Sequence, residues 1–259
     1  MVRLPAVHPV PAASLLAGLL LCALALPPTG ASAQTCQARS PDRQALLVEL
    51  YTSEGCNSCP PADRWLSLLK GAPAQPPVLA VAFHVDYWDR LGWVDRFGSA
   101  RHTERQAEQQ RSSGARFSYT PQVLVNGRDW RGWPTLPVLD APALVRIDLR
   151  RQDAQQVTAS ITPLRGAPAR LALWWAVLED DHSSAVGAGE NHGATLRHDH
   201  VVRQYGRVAV WGIDPGASAA HDERLMASPN GEGGRKARLL VVVTDAVTGA
   251  PLQAAQLTC

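Results

Sequence analysis

Residues 45–70 read ALLVELYTSEGCNSCPPADRWLSLLK, and this stretch decides the expected fold. It opens with an apolar run bounded by turn residues, which is typical of a strand buried on both faces. Apolar residues recur at helical spacing from Trp65 to Leu69, so we expect a helix directly after the turn. Cys56 and Cys59 lie in that turn. A C-x-x-C pair in this place is compatible with a redox centre, a metal site or a structural disulfide.

The next segments continue the alternation of strands and helices. Residues 77–86, PVLAVAFHVD, predict a second buried strand, so strand, helix and strand would form a parallel pair with a right-handed crossover. The polar residues 99–114 favour a helix with little core-facing surface. Residues 119–133 predict two strands joined by an Asn-Gly hairpin turn. Residues 135–152 are interpreted as a helix broken by prolines.

The second half of the chain has a different texture. From about Gln155 onward, short alternating segments and turns predict strands, with a final hairpin through Thr248-Gly249. We therefore predict an α/β domain followed by a C-terminal all-β domain that is sandwich-like. The predicted divisions are a signal peptide at residues 1–33, an α/β domain with a helical insertion at 34–153, and a β-rich domain at 154–259.

The N-terminal residues have the features of a signal peptide. Arg3 is followed by an apolar run at 12–26, a Pro-Pro break and an Ala-Ser-Ala sequence that ends at Ala33. We predict cleavage after Ala33 and a periplasmic or secreted protein. The apolar run is shorter than the roughly 20 residues that span a bilayer, so no membrane span is expected after cleavage. The formal net charge of +2 indicates no nucleic-acid partner.

Export permits disulfide bonds, and four cysteines follow the predicted cleavage site. They allow three pairings, and one of these joins the sequence neighbours Cys56 and Cys59. That pairing would leave Cys36 to bond with Cys259, closing a long loop that contributes about 5 kcal/mol in the loop-entropy model. A zinc site needs about four ligands, and the sequence has no second C-x-x-C. We therefore predict no metal.

A proline adds to the interpretation of the dithiol. Thr120-Pro121 opens a predicted strand, where a trans proline would usually be confined to an edge. A cis bond costs little before proline and would expose the backbone of Thr120 to an extended substrate. The order of strand, C-x-x-C, helix, strand, insert and Thr-Pro resembles the thioredoxin superfamily over residues 45–152. This resemblance implies that Cys56 attacks, Cys59 resolves the mixed disulfide and Pro121 is the cis proline.

Four segments carry a narrower resemblance: LYTSEGCNSCPPAD, HVDYWDRLGW, YTPQVLVNG and GENHGATLRHDHVVR. Together they resemble the bacterial secreted family catalogued as domain of unknown function 1223, a thioredoxin-like domain with a C-terminal β extension. The family name implies no biochemical function. Unlike ordinary thioredoxins, this chain has Glu54-Gly55 before the dithiol and Pro60-Pro61 after it. The helix is expected to begin at these prolines, and Glu54 would oppose a thiolate.

Polar residues beside the second strand are further site candidates. His84 ends that strand, where α/β sheets place functional groups, but a satisfied polar residue is an equally good interpretation. The other pocket candidates are Glu54, Asp86, Tyr87 and Trp88. In the second half, His198 and His200 would share a strand face and could bind metal. Without a clear third ligand, a solvated loop is the better interpretation of that segment.

The residues leave three functions open. The first is an exported thiol-disulfide oxidoreductase that acts on a protein or small-molecule thiol or disulfide without a cofactor. The second is a non-catalytic envelope protein, for binding or structure, with a permanent Cys56–Cys59 bond. The third is copper or zinc binding through the dithiol and His84. No P-loop, G-x-G-x-x-G or G-x-S-x-G motif supports nucleotide chemistry or serine hydrolysis.

Overall fold

Strands form most of the secondary structure in this computed structural model, which describes Val2, Ala74 and residues 36–71, 76–214 and 218–259. The strands are β1 Gln37–Arg39, β2 Leu46–Thr52, β3 Val78–His84, β4 Gln122–Val125, β5 Arg128–Asp129, β6 Val145–Arg151, β7 Gln156–Pro163, β8 Arg170–Glu179, β9 His182–Ala185, β10 Thr195–His198, β11 Val201–Gly212, β12 His221–Met226, β13 Ala237–Asp245 and β14 Pro251–Thr258. The α-helices are α1 Pro60–Ser67 and α2 Ala100–Ser113. The predicted signal peptide and its cleavage site lie outside the described residues.

The stretch around the dithiol folds as its residue pattern predicts. β2 is buried along its whole length and pairs in parallel with β3, in register from Leu46 opposite Val78 to Thr52 opposite His84. α1 begins at Pro60, which confirms the predicted start, because proline lacks only an N–H that the first turn leaves unpaired anyway. Its buried face, with Trp65, packs on the sheet.

One mixed sheet of eight strands joins the two halves of the chain, in the order β14-β13-β8-β11-β3-β2-β4-β5. The junction is short: Val201 of β11 lies opposite Ala82 of β3, and the Ala82 N–H donates to the carbonyl of His200 at 2.9 Å. β8 and β13 then extend the sheet by antiparallel pairing. The free edge of buried β3 needs backbone partners, and the start of β11 supplies one beside Ala82.

The predicted fold class, an α/β thioredoxin-like domain followed by an all-β domain, is therefore wrong. The described residues form two α-helices and fourteen strands. Strands β8, β11, β13 and β14 of the second half belong to the same sheet as β2 and β3. The residue pattern predicts where the strands lie in the chain, but it does not predict which strands pair with each other. Residues Thr35–Cys259 form one compact unit. The boundary near residue 153 falls in the turn between β6 and β7 and stays a prediction.

A second sheet of four strands, β1-β6-β7-β12, covers one face of the large sheet. Ile147 and Ile161 point from it into a core shared with Leu173 and Val241, and all four side chains are buried. Complete burial of such a side chain contributes about 1.5–3 kcal/mol. The alternating pattern of residues 145–151, with valine, isoleucine and leucine inward, is that of a strand, so the helix predicted over 135–152 is wrong.

Helix α2 is polar in sequence, but it does not lie on the surface with little buried area. His102, Arg105 and Gln106 are all buried. The guanidinium of Arg105 pairs with Glu49 of β2 and lies over the Trp174 ring, 4.4 Å from its centroid. A buried charge is tolerated when it is paired and stacked in this way. The helix is thus anchored by polar side chains, which hydrophobic periodicity does not predict.

A disulfide joins Cys36 to Cys259 across 223 residues, with 5.7 Å between their Cα atoms. The second disulfide joins Cys56 to Cys59. Two disulfide bonds are compatible with a secreted or periplasmic protein. Within the part of the chain that the structure describes, no helix is both long and apolar enough to cross a membrane.

Candidate functional site

The Cys56–Cys59 disulfide lies where the chain leaves β2 and enters α1. Cys59 is the N-cap of the helix, and its carbonyl accepts the N–H groups of Ala62 and Asp63 at 2.9 and 3.1 Å. Both cysteines are 0% exposed, whereas Asn57 and Ser58 between them are exposed. The disulfide therefore lies just beneath the surface at the positive end of the helix dipole.

Trp88 links the dithiol turn to the predicted docking proline. The Thr120–Pro121 peptide bond is cis, and the Trp88 indole N–H donates to the Thr120 hydroxyl at 2.8 Å. On its other side Trp88 packs against Gly55, so closely that a Cβ added there would lie 2.9 Å from the Trp88 Cβ. Thr120 and Pro121 are half-buried. Trp88 thus contacts both the turn that holds Cys56 and Thr120.

His84 and Asp95 form a buried pair beneath the turn. His84 Nδ1 lies 2.7 Å from Asp95 Oδ2, and Asp95 also accepts the backbone N–H groups of Glu54 and Phe97, each at 2.9 Å. Burial disfavours the charged form of Asp95, but these contacts outweigh burial and lower its pKa to about 2. Burial likewise disfavours a charged His84, yet the Asp95 carboxylate raises the His84 pKa above its ordinary value.

A second histidine comes from the C-terminal half. His198 Nε2 lies 3.4 Å from Glu54 Oε1, and its Nδ1 lies 4.0 Å from Asp63 Oδ1. The His198 ring also meets the His84 ring edge-on, with 4.9 Å between centroids. We call this set the acid-histidine cluster; its members are Glu54, Asp63, His84, Asp95 and His198. All of them are at least nine-tenths buried.

The two remaining carboxyl groups of the cluster differ in their pKa shifts. Burial raises the pKa of Asp63. Attraction to His198 and His84 and the hydroxyl of Thr52, which donates to Asp63 at 3.0 Å, only partly offset this. Burial also acts to raise the pKa of Glu54, but contacts with His198, Ser184 and the Trp93 indole outweigh it and lower that pKa. The cluster therefore places Asp63, a buried carboxyl group with a raised pKa, one helical turn after Cys59.

The connection between β9 and β10, residues 186–194, covers the dithiol turn, and we call it the latch loop. The Asn191 side-chain amide donates to the carbonyls of Glu54 and Cys56 at 2.8 and 2.9 Å. Glu190 accepts the backbone N–H of Asn57 at 3.1 Å. The latch loop therefore binds the dithiol turn through three side-chain hydrogen bonds.

The solvated loop expected around His198 and His200 is wrong, because these side chains are only 2% and 4% exposed. Each has a buried polar neighbour: Glu54 for His198, and for His200 the Arg238 guanidinium, whose Nη2 lies 2.6 Å from His200 Nδ1. The sequence shows that this segment is polar, but it does not show that residues distant in the chain will bury it and contact its polar groups. Among the described residues, no three His, Cys, Asp or Glu side chains are arranged to hold a metal ion.

The other pocket candidates divide into two groups. Trp88 and Glu54 contact the dithiol turn and the cluster. Asp86 and Tyr87 instead bind helix α2, where Asp86 accepts the Thr103 hydroxyl at 2.6 Å and the Tyr87 hydroxyl donates to Gln106 at 3.3 Å. Three further residues contribute to the site, although the sequence analysis gave them no role in it. The sequence signal for them was their position in two polar motifs between predicted strands. They are Trp93, Asp95 and Asn191.

Comparison with solved structures shows the same overall fold in two proteins. A crystal structure of an Agrobacterium tumefaciens protein is 24% identical, with a TM-score of 0.59, and the match covers 82% of this chain and 93% of that one. HBP35 of Porphyromonas gingivalis is 14% identical, with a TM-score of 0.58, and the match covers 84% of this chain and 76% of the other. No curated protein matches this sequence.

The profile of one protein family matches residues 47–244, a span that begins in β2 and ends in β13. That span contains the dithiol turn, the acid-histidine cluster and the latch loop. The resemblance drawn from the sequence motifs is thus confirmed at the level of the family. The chain belongs to the family described as protein of unknown function (DUF1223).

Proposed function

We propose that this protein is an exported thiol-disulfide oxidoreductase in which the Cys56–Cys59 bond exchanges with a protein or small-molecule thiol. The observation that carries the proposal is the placement of a four-residue disulfide ring at a helix N-terminus, directly beside a buried cluster of carboxyl and imidazole groups. The helix N-terminus stabilises a thiolate, and buried acids supply or take up protons.

The size of the ring argues against a purely structural role. In the loop-entropy model, a four-residue ring stabilises the fold by about 2 kcal/mol, whereas the Cys36–Cys259 loop contributes about 5 kcal/mol. Burying several ionisable groups beside the smaller ring has a desolvation cost of the same order or greater. The Cys56–Cys59 bond contributes little to the stability of the fold, and the buried ionisable groups beside it are costly to desolvate. A role in thiol-disulfide exchange explains this arrangement better than a structural role.

The proposed exchange proceeds in two balanced steps. A substrate thiolate attacks Cys56 Sγ, the Cys56–Cys59 bond breaks, and its electron pair leaves with Cys59 as a thiolate that takes a proton. A second substrate thiolate then attacks the substrate sulfur of the mixed disulfide and releases Cys56. Two substrate thiols are oxidised to a disulfide, and the protein disulfide is reduced to a dithiol. The reverse sequence reduces a substrate disulfide.

The neighbouring residues have distinct roles in this proposal. Asp63 is the proton donor to Cys59, because it lies one helical turn away and burial raises its pKa above that of an ordinary aspartate. The half-buried backbone of Thr120, next to the cis bond, pairs with the substrate chain. Trp88 fixes the position of Thr120 relative to the turn. His84 and Asp95 hold the turn through the Glu54 N–H.

Access to the sulfurs requires movement, because both cysteines are completely covered. The latch loop holds the turn by three side-chain hydrogen bonds, two from Asn191 and one to Glu190. Opening of this loop would release the carbonyl of Cys56 and let a substrate approach. The exchange is therefore gated by the latch loop.

The test is equilibration of the purified protein, without its first 33 residues, against glutathione and dithiothreitol, with mass spectrometry of each alkylated cysteine. We expect the Cys56–Cys59 pair to have a reduction potential of about −120 to −270 mV while Cys36–Cys259 stays oxidised. Cys59→Ser should trap a mixed disulfide on Cys56, and Cys56→Ser should trap none. A pair that stays oxidised until the fold is lost would exclude exchange.

The complete burial of both sulfurs favours a second candidate, a non-catalytic envelope protein with a permanent disulfide. In that case the potential would lie below about −300 mV, as for structural disulfides. Cys59→Ser would then trap no mixed disulfide, even in a variant whose latch loop has been loosened. The same two measurements thus separate the two candidates.

A further inference from the structure

A cleft of about 460 Å³ opens at the N-terminal end of α2, outside the dithiol site. Three arginines line it: Arg96 before the helix, Arg101 in its first turn, and Arg203 on β11. Of the described residues that line the cleft, none is acidic. An open cleft of this composition presents a net positive surface to a ligand.

Two of the three arginines are free of carboxylate partners. Arg203 bridges Glu179 and Glu232, at 3.5 and 2.7 Å. Within the described chain, no Asp or Glu lies within 4.0 Å of the Arg96 or Arg101 guanidinium. Two guanidinium groups without a carboxylate partner in a single cleft can therefore pair with an anionic ligand.

Aromatic rings hold these guanidinium groups. Arg96 lies over the Phe97 ring at 4.4 Å from its centroid, and Arg101 lies over the Tyr205 ring at 5.6 Å. A guanidinium that stacks on a ring directs its N–H groups outward at the edge, which suits bidentate binding of a carboxylate or phosphate. Arg96 Nη2 also donates to the Ser183 carbonyl at 3.3 Å. Trp175 adds a further aromatic wall. The cleft can thus contact both a charged group and a flat apolar body.

Two further features of the cleft point the same way. The Ser99 side chain caps α2 by accepting the Arg101 N–H, so the positive end of a 14-residue helix faces this region. His102, 6% exposed, also lines the cleft; its Nδ1 donates to the His84 carbonyl at 2.9 Å. The buried Tyr205 hydroxyl, which also lines the cleft, has no hydrogen-bond partner within the described chain. An unpaired buried hydroxyl of this kind is a specific contact for a ligand.

We propose that this cleft binds an organic anion, in which a carboxylate or phosphate group pairs with Arg96 and Arg101 and an aromatic or flat apolar body lies against Tyr205 and Trp175. The inference does not depend on the dithiol. It would hold equally if the Cys56–Cys59 bond proved permanent. Carboxylate and phosphate share the chemistry that the arginines recognise, and the experiment distinguishes them.

The test is isothermal titration calorimetry of the purified protein with phenyl phosphate, benzoate, inorganic phosphate and benzyl alcohol as probes. We expect phenyl phosphate or benzoate to bind with a Kd of about 1 mM or lower, and the tighter of the two identifies the preferred anionic group. Benzyl alcohol, which has the ring but no charge, should not bind. Equal binding of inorganic phosphate and phenyl phosphate would overturn the aromatic part of the proposal.

Arg101→Gln is the matched variant, because Arg101 is exposed and bears no ion pair, so the fold should be unaffected. We expect it to weaken binding by about tenfold through loss of a charged hydrogen bond. Arg111→Gln, at the other end of the same helix, removes the same charge outside the cleft and should leave the affinity unchanged. Equal weakening in both variants, or no saturable binding by either aromatic anion, would overturn the site.

Discussion

Asp63 and Asp95 belong to the same buried cluster, yet their pKa values move in opposite directions. Asp95 is attracted to His84 and accepts hydrogen bonds from that imidazole and from two backbone N–H groups, so its pKa is lowered although its side chain is buried. Asp63 accepts a single hydroxyl and has its nearest imidazole nitrogen 4.0 Å away, so burial dominates. The attraction of His84, followed by the hydrogen bonds that Asp95 accepts, outweighs burial at Asp95, whereas burial outweighs the lowering contacts at Asp63.

The Asp95→Asn substitution should be strongly destabilising. The amide cannot replace a carboxylate that pairs with His84 and accepts two N–H groups, so we expect the free energy of unfolding to fall by about 3 kcal/mol at pH 7. Urea unfolding followed by tryptophan fluorescence measures this. Asp140→Asn is the control, because its ion pair with Arg43 is exposed and should contribute less than about 1 kcal/mol.

Asp95 should also make the protein acid-sensitive. Its pKa is about 2 when folded and 3.8 ordinarily, so its stabilisation is complete above pH 3.8 and is lost as the pH falls toward 2. The loss amounts to about 2 kcal/mol between pH 4 and pH 2. Urea unfolding at a series of pH values should show this loss in the wild type. If Asp95→Asn loses as much stability over that interval, another group is responsible.

Asp63→Asn should have the opposite effect. Because the folded pKa of Asp63 is raised, its ionisation opposes folding as the pH rises through that value, and below pH 3.8 the penalty is absent. We expect the variant to be at least as stable as the wild type at pH 7, with the gain disappearing at low pH. At the same time its dithiol exchange should be about tenfold slower or more, as expected for loss of a proton donor.

Motifs identify the centre of the site but not its surroundings. Cys56, Cys59, Pro121 and Trp88 could be chosen from local patterns, because spacing and residue type alone restrict their chemistry. Asp95 and Asn191 could not be chosen in this way, because their roles in the site depend on hydrogen-bond partners 41 and 135 residues away, respectively. Polar residues between strands are common, and only the folded chain shows which of them face one another.

At the scale of elements, the latch loop makes a prediction of its own. Asn191→Ala removes two hydrogen bonds that hold the dithiol turn, so native-state reduction of Cys56–Cys59 by dithiothreitol should be about tenfold faster. Timed alkylation and mass spectrometry give the rate. His192→Ala changes an exposed residue of the same loop and should react like the wild type. Equal rates in both variants would show that the latch loop does not limit access.

Elements with strong local signals were predicted correctly, and elements held by distant partners were not. β2, α1, β3 and the final hairpin follow from apolar runs, prolines and turn residues. β6 was interpreted as helix because prolines and leucines precede it, whereas its inward side chains are fixed by a facing sheet. α2 was predicted as a helix, but its burial depends on the Glu49–Arg105 pair.

For the whole molecule, the two disulfides should contribute unequally to stability. Replacing Cys36 and Cys259 by serine should lower the free energy of unfolding by about 2–5 kcal/mol, because the released loop is long. Replacing Cys56 and Cys59 should cost about 2 kcal/mol or less. Urea unfolding of both double variants makes the comparison. A larger cost for the short ring would favour the permanent-disulfide candidate over the oxidoreductase.

The fold class was mispredicted at this same scale. Near residue 153 the predicted secondary structure changes from alternating strands and helices to strands and turns. Each half was therefore expected to form a sheet of its own. Instead β11 adds to the free edge of β3 through a single registered pair, Val201 and Ala82, and the sheet grows to eight strands. Backbone hydrogen bonds at a strand edge are independent of side-chain identity, so residue patterns carry little information about which strand will occupy it.

The bond between Cys36 and Cys259 makes everything between them a closed covalent ring. A tensile load applied at the two cysteines passes through one sulfur bridge 5.7 Å across, measured between Cα atoms, and bypasses both sheets. Likewise, a single protease cut in an exposed turn leaves two pieces that stay tethered until the bridge is reduced. The Cys36–Cys259 bond therefore gives the protein its resistance to pulling and to proteolysis, and this resistance does not depend on the chemistry of the Cys56–Cys59 bond.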